Sequence, residues 1–156
     1  MNMTNQKLTQ HAACECGTSR FKVDGVPLAR FKCHCTICQS LYRQPFADVV
    51  MLWGSSVELP SEQPFTFKKY RLPPALKRAT CNVCGMPVVG LLRVAPFLQL
   101  AFIRAENFPE QHALPSPAAH IFYHSRVVDV DDSLPKISHY LPSELTVTKL
   151  LFGLRP

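Results

Sequence analysis

Residues 33–38 read Cys-His-Cys-Thr-Ile-Cys, three cysteines spaced C-x-C-x-x-C within six positions. Upstream stands Cys14-x-Cys16-Gly17 and downstream Cys81-x-x-Cys84-Gly85, so each of the seven cysteines belongs to one of three short clusters. Steps of two and three residues let two sulfurs reach one metal ion with little backbone strain. A glycine after the knuckle lets the turn carry the chain away and aims amides at the sulfurs. Ligand sets made only of thiolates select zinc or iron–sulfur centres over magnesium or calcium. An odd number of cysteines cannot close entirely into intramolecular disulfides.

Seven ligands divide as four plus three. A structural zinc takes four protein ligands, whereas a catalytic or exchangeable one keeps a position open, so the count predicts one closed and one open site. Spacing leaves the grouping open. Cys35 and Cys38 could pair with Cys81 and Cys84 as a zinc ribbon, or Cys14 and Cys16 could join Cys81 and Cys84. His34, wedged between two ligands, is poorly placed to reach the same ion and is expected behind the ligands or facing solvent. His120 and His124 have no ligand-like spacing and read as ordinary strand residues.

The chain around these clusters has 156 residues, 47% apolar and 18% charged, which suits one domain with a sizeable core and excludes intrinsic disorder. Fourteen prolines, close to double the usual share of about 5%, break up long helices and exclude a helical bundle. Short extended segments are expected instead. SRFKV and PLARFK flank Asp24-Gly25 as a hairpin would. Strands are also expected over Ala47–Trp53, Pro64–Arg71, Leu76–Thr80, Pro87–Leu92, Phe97–Ile103 and His120–Val130. Thr36–Tyr42 reads as a short helical turn. Ser143 reads as the cap of a helix over ELTVTKLLF, although the β-branched run Thr146, Val147, Thr148 weakens it. The polar residues 1–11 are expected to be a flexible N-terminus.

The formal charge is +6, which by itself points to nucleic acid or acidic ligands. Seven thiolates held by two zinc ions would remove half of it. Lys68, Lys69, Arg71, Lys77 and Arg78 fall within eleven positions and read as a solvated strand pair or as a docking patch for carboxylates or phosphates. The opening residues hold no apolar core of signal-peptide length. The longest apolar stretch, Pro87–Ile103, is broken by Arg93, Pro96 and Gln99. A soluble protein of a reducing compartment, the cytoplasm, is expected.

These motifs together resemble the glutathione-dependent formaldehyde-activating enzymes, a family that shares a domain with centromere protein V. The resemblance rests on C-x-C-G at 14–17, C-x-C-x-x-C at 33–38 followed by Pro45-Phe46, and C-x-x-C-G at 81–85. HIFYHSRVVDVDDSLPKI at 120–137 looks like the family's His-Ile-aromatic…Asp-x-Leu-Pro ending. It spans residues 12–138 and leaves 139–156 as a C-terminal extension, free to pack on the sheet or against a partner, a homo-oligomer included. It implies a mainly β protein, a β-tent of antiparallel sheets around a zinc-ribbon-like core with few short helices. It also implies two zinc ions, a structural one on Cys14, Cys16, Cys81 and Cys84 and an open, catalytic one on Cys33, Cys35 and Cys38. In the namesake reaction glutathione and formaldehyde form S-hydroxymethylglutathione, a carbon–sulfur lyase chemistry. Where many relatives have a glycine before Pro-Phe, this chain has QSLYRQPF, which implies a pocket of different shape and charge if that loop borders the open zinc.

Three thiolates on Zn²⁺ leave a net charge of −1, so the centre is a weak Lewis acid better suited to holding a fourth thiol as thiolate. The expected partner is a small thiol or aldehyde, with no membrane and no nucleic acid. The alternative is a non-catalytic zinc module that binds protein or nucleic acid through its basic strands, although only Tyr70 interleaves with those charges for stacking.

Overall fold

The computed structural model describes residues 6–71 and 76–156. Among them the chain is mainly β, with ten strands in two sheets and two α-helices. Strands β1 (Leu8–Ala13), β2 (Arg20–Gly25) and β5 (Val57–Glu58) form one sheet in the order β1-β2-β5. The larger sheet contains β3 (Ala29–Cys33), β4 (Ala47–Trp53), β6 (Phe65–Lys69), β7 (Lys77–Cys81), β8 (Pro87–Ala95), β9 (Leu98–Arg104) and β10 (His120–Ile121), ordered β10-β3-β4-β9-β8-β7-β6. All its pairings are antiparallel except that of β10 with β3. The helices are α1 (Thr36–Tyr42) and α2 (Tyr140–Leu151). No helix among the described residues is long and apolar enough to cross a membrane.

The central strand β4 shows why there are two cores. Successive side chains of a strand point to opposite faces. Val50 and Leu52 therefore join Leu8, Phe21, Val23 and Ile103 between the two sheets. Ala47, Val49 and Met51 join Phe31, Leu100 and Ile121 on the other face, beneath the helices. A strand buried on both faces reads as a continuous apolar run, as ADVVMLW does. One cysteine cluster borders each core. Cys14 and Cys81 belong to the first, and Cys33, Cys35 and Cys38 to the second.

Four expectations are corrected. Asp24-Gly25 is not a hairpin turn: both residues pair with β1, Thr9 with Asp24 and Leu8 with Gly25, and the chain then crosses to the other sheet. Phe21 and Val23 face the inter-sheet core while Phe31 and Cys33 face the other, so β2 and β3 have different partners to cover. Gly25 serves a close approach instead, since a Cβ there would stand 2.1 Å from Ser56 Oγ. The stretch expected to fray holds β1. Leu8 and Ala12 point inward, and the buried Gln10 exchanges amide hydrogen bonds with the Glu110 backbone. Residues 1–5 of that stretch lie outside the described ones.

The late strand is shorter than expected. β10 ends at Ile121 because Phe122 takes a left-handed backbone (φ 53°) and Tyr123–Ser125 make a 3-10 turn. Ser143 is not a helix cap either. α2 starts at Tyr140 with Pro142 in its first turn, where a missing N–H costs nothing. The buried Ser143 Oγ instead accepts a hydrogen bond from Phe122 N at 2.8 Å, which pins α2 to the end of β10. Ser143→Ala leaves that amide without its partner, and urea unfolding is expected to show a loss of about 1–3 kcal/mol. Leu145→Ala on the exposed outer face of the same helix is expected to stay within about 0.5 kcal/mol of wild type.

Candidate metal centres and the adjoining cavity

The seven thiols, all free, gather into two groups. Cys14, Cys16, Cys81 and Cys84 have their sulfurs within 4.8 Å of one another, at the turns that follow β1 and β7. Both turns close in the same way. Gly17 N donates to Cys14 O and Gly85 N to Cys81 O, each at 2.9 Å, with left-handed φ of 77° and 72° that suit glycine. Cys33, Cys35 and Cys38 form the second group, also within 4.8 Å, from the end of β3 and the first turn of α1. Of the two groupings that spacing leaves open, the structure adopts the one that joins Cys14 and Cys16 to Cys81 and Cys84.

Both groups fit a tetrahedral zinc. Zn–S bonds of about 2.3 Å give a tetrahedron with sulfurs about 3.8 Å apart. Cys14 and Cys16 are 3.5 Å apart, and Cys16 and Cys81 3.8 Å. Backbone amides point at the sulfurs, Ser19 N to Cys14 at 3.3 Å, Val83 N to Cys81 at 3.4 Å and Cys38 N to Cys35 at 3.4 Å. Such amides favour thiolate over thiol. The charges tell the same story. Burial raises the Cys14 pKa to about 11. Burial also opposes ionisation of Cys81, but hydrogen bonds from Ser19, Cys84 and Val83 outweigh it and bring that thiol down to about 6. In the three-cysteine group, hydrogen bonds from Cys33 and Cys38 make Cys35 the preferred thiolate, and the contacts with Cys35 and Cys38, with burial, hold the Cys33 thiol well above its ordinary value. At Cys38 the Cys33 contact favours ionisation, but the Cys35 hydrogen bond and burial prevail and raise it to about 12. One thiolate among three buried sulfurs is what the bare chain tolerates; ionising all three takes a cation.

The three-cysteine group opens on a cavity of about 190 Å³. One wall is the sheet, with Phe31, Val89, Leu92, Leu100 and Phe102; the other is α2, with Glu144, Val147, Thr148 and Leu151. Tyr42 lines it beside the cysteines, so the QSLYRQPF loop does border this site. Arg43 turns elsewhere, its guanidinium 2.9 Å from where a Cβ on Gly85 would stand, over the four-cysteine turn. The basic run divides. Lys68, Lys69 and Lys77 are exposed on the edge strand β6 and its neighbour, where charge guards an unpaired edge. Arg71 and Arg78 line the cavity. Arg71 lies 3.8 Å from Glu144 and stacks over the Tyr140 ring at 4.9 Å, joining the end of β6 to α2.

Neither His34 nor His120 joins a sulfur cluster, and the reading of His120 as an ordinary strand residue is corrected. Both are fully buried, with His34 Nε2 2.8 Å from His120 Nδ1 and His120 Nε2 2.9 Å from Asp132. A carboxylate only accepts, so His120 Nε2 donates to Asp132 and its Nδ1 accepts from His34 Nε2. That leaves His34 Nδ1 as a bare acceptor, and it has no partner among the described residues. Burial, with the neighbouring His120, pulls the His34 pKa down to about 4, so the ring is neutral. The His120 hydrogen bond, with that of Lys136, holds the Asp132 carboxyl well below the usual carboxylate range. His124 lies apart and accepts from His139 N at 2.7 Å. The sequence does contain a signal for this chain of contacts. His120-Ile121 and Asp132-Ser133-Leu134-Pro135 are the two halves of the late motif, and they hydrogen-bond each other through His120 N to Pro135 O at 2.8 Å as well.

The network holds the segment between Cys33 and Cys35 from behind. Asp132→Ala is expected to lower zinc affinity at the three-cysteine group by about tenfold, in the range for groups that orient ligands. The four-cysteine group is expected to be unaffected, and chelator competition with zinc counted per chain separates the two.

The profile of the family described as glutathione-dependent formaldehyde-activating enzyme matches residues 9–125. The match takes in all seven cysteines and His120, and stops short of Asp132 and α2. No curated protein matches the chain. With a match that covers most of its length and both cysteine groups, the chain belongs to the glutathione-dependent formaldehyde-activating enzyme family.

Proposed function

We propose that this protein is a carbon–sulfur lyase-type enzyme that makes and breaks the adduct of a thiol with formaldehyde or a related aldehyde. Cys14, Cys16, Cys81 and Cys84 would hold a structural zinc, and Cys33, Cys35 and Cys38 a second zinc with one position free. The observation that carries this reading is the asymmetry of the two groups: four sulfurs close on themselves, while three buried ones form part of a cavity wall. When bound there, zinc supplies a position that keeps an incoming thiol ionised.

The chain's own residues supply the rest. The apolar walls exclude water and hold the reactants together, which turns an encounter in solution into a local one. In the forward direction the thiol sulfur bonds to the carbonyl carbon, and the proton it sheds ends on the former carbonyl oxygen. In reverse the carbon–sulfur bond breaks and the proton returns. Among the described residues Glu144 is the carboxyl lining the cavity, and burial raises its pKa against the pull of Arg71, so it can accept and return that proton. The division of the basic run between the β6 edge and the cavity weighs against a module that binds nucleic acid along one basic face.

Cys35→Ser is expected to lower zinc from about two to about one per chain, abolish adduct formation from formaldehyde and thiol, and leave the circular dichroism spectrum intact. Turnover unchanged by that substitution would sink the proposal. Glu144→Gln is expected to slow turnover by about 100-fold while zinc content holds.

A further inference from the structure

The helix α2 lies beyond the residues matched to the family, yet it forms one side of the three-cysteine cavity. Its contributions, Glu144, Val147, Thr148 and Leu151, recur at i, i+3, i+4 and i+7, a single stripe of the helix. The helix is firmly seated. Ser143, Thr146 and Leu150 are buried, Ser143 holds the Phe122 amide, and Arg71 reaches across to Glu144 and Tyr140.

Size and polarity then limit what fits beneath it. The cavity measures about 190 Å³. Pockets for drug-sized ligands run to about 300–1,000 Å³, whereas an apolar cavity of about 150 Å³ takes a molecule like benzene. Glutathione is a tripeptide with two carboxylates and an ammonium. Of the charged side chains that line the cavity among the described residues, Arg71 already faces Glu144, which leaves Arg78 to meet a carboxylate, and most of the remaining wall is aliphatic and aromatic. Bringing glutathione's charges inside would strip them of water without partners for all of them.

We propose that α2 closes this cavity to peptide thiols and restricts it to small apolar thiols of the benzyl mercaptan class and their aldehyde adducts. The inference rests on the reading that the three-cysteine centre takes a thiol. The bond formed is again sulfur to carbonyl carbon, with the thiol proton transferred to the oxygen and nothing oxidised or reduced.

The test is equilibrium binding to the zinc-loaded full chain by calorimetry, with benzyl mercaptan, glutathione and the sulfur-free analogue ethylbenzene as probes. Benzyl mercaptan is expected to bind at least about tenfold more tightly than glutathione, and Val147→Trp, which fills the cavity, to weaken benzyl mercaptan and ethylbenzene alike by about tenfold or more. Thr148→Trp, at a more exposed position on the same wall, gives the same answer should Val147→Trp fail to fold. Leu145→Ala, on the outer face, is expected to change nothing. Glutathione binding as tightly as benzyl mercaptan, or ethylbenzene binding indifferent to both tryptophan variants, overturns the inference. Ethylbenzene that binds and is displaced by the tryptophans, with no gain for benzyl mercaptan, keeps the α2 wall and overturns instead the reading that the centre takes a thiol.

Discussion

Bringing buried sulfurs this close is an electrostatic problem before it is a catalytic one. Cys33, Cys35 and Cys38 are all buried with their sulfurs within 4.8 Å, so ionising one raises the cost of ionising its neighbours. The bare chain answers by sharing protons around Cys35, and a divalent cation answers by neutralising the group. The rest of the local structure serves that convergence. β3 delivers Cys33 at its end, and the Cys35 sulfur accepts the Cys38 amide as the cap of α1. The buried histidines brace the same stretch of backbone from the opposite side.

The larger sheet keeps the two cysteine groups apart. β4 faces a core on each side, so a closed four-sulfur group and a cavity-lining three-sulfur group sit in separate environments. The first is tied into the turns that join strands, where rigidity is what a structural ion needs. The second borders a cavity between a sheet and a helix, where a ligand can be surrounded by apolar surface. In the proposed reading, chemistry and stability fall to different sulfurs of one small domain.

In the proposed reading, α2, which lies beyond the residues matched to the family, limits what the cavity admits. The matched residues contain the sulfurs, the sheet wall of the cavity and Arg71, and α2, which lies beyond them, completes the enclosure. A family with common ligands can in this way present different cavities, since a helix wall changes volume and charge without touching the metal ligands.

Much of the architecture was legible in the residues themselves. The spacing of Cys14, Cys16, Cys81 and Cys84 announced two equivalent turns, because short cysteine steps followed by glycine have few backbone solutions. The apolar run Ala47–Trp53 and the alternation in Pro64–Arg71 marked strands, and Thr36–Tyr42 marked α1. Those are local properties, set within a few residues. The misreadings share a different cause. Asp24-Gly25 looked like a hairpin until β1 and β5 claimed β2, and Ser143 looked like a cap until the Phe122 amide claimed its oxygen. His120 and Asp132 stood in one late motif, but nothing in the spacing shows that β10 lies beside β3 and brings His34 to them. The sequence by itself determined which atoms could bind metal and how the chain turns around them. The tertiary structure decided which of the groupings left open by spacing the sulfurs adopt, in the way the resemblance implied, and which polar groups are buried together and what walls the cavity. Those depend on contacts between segments far apart in sequence, selected by burial rather than by local geometry.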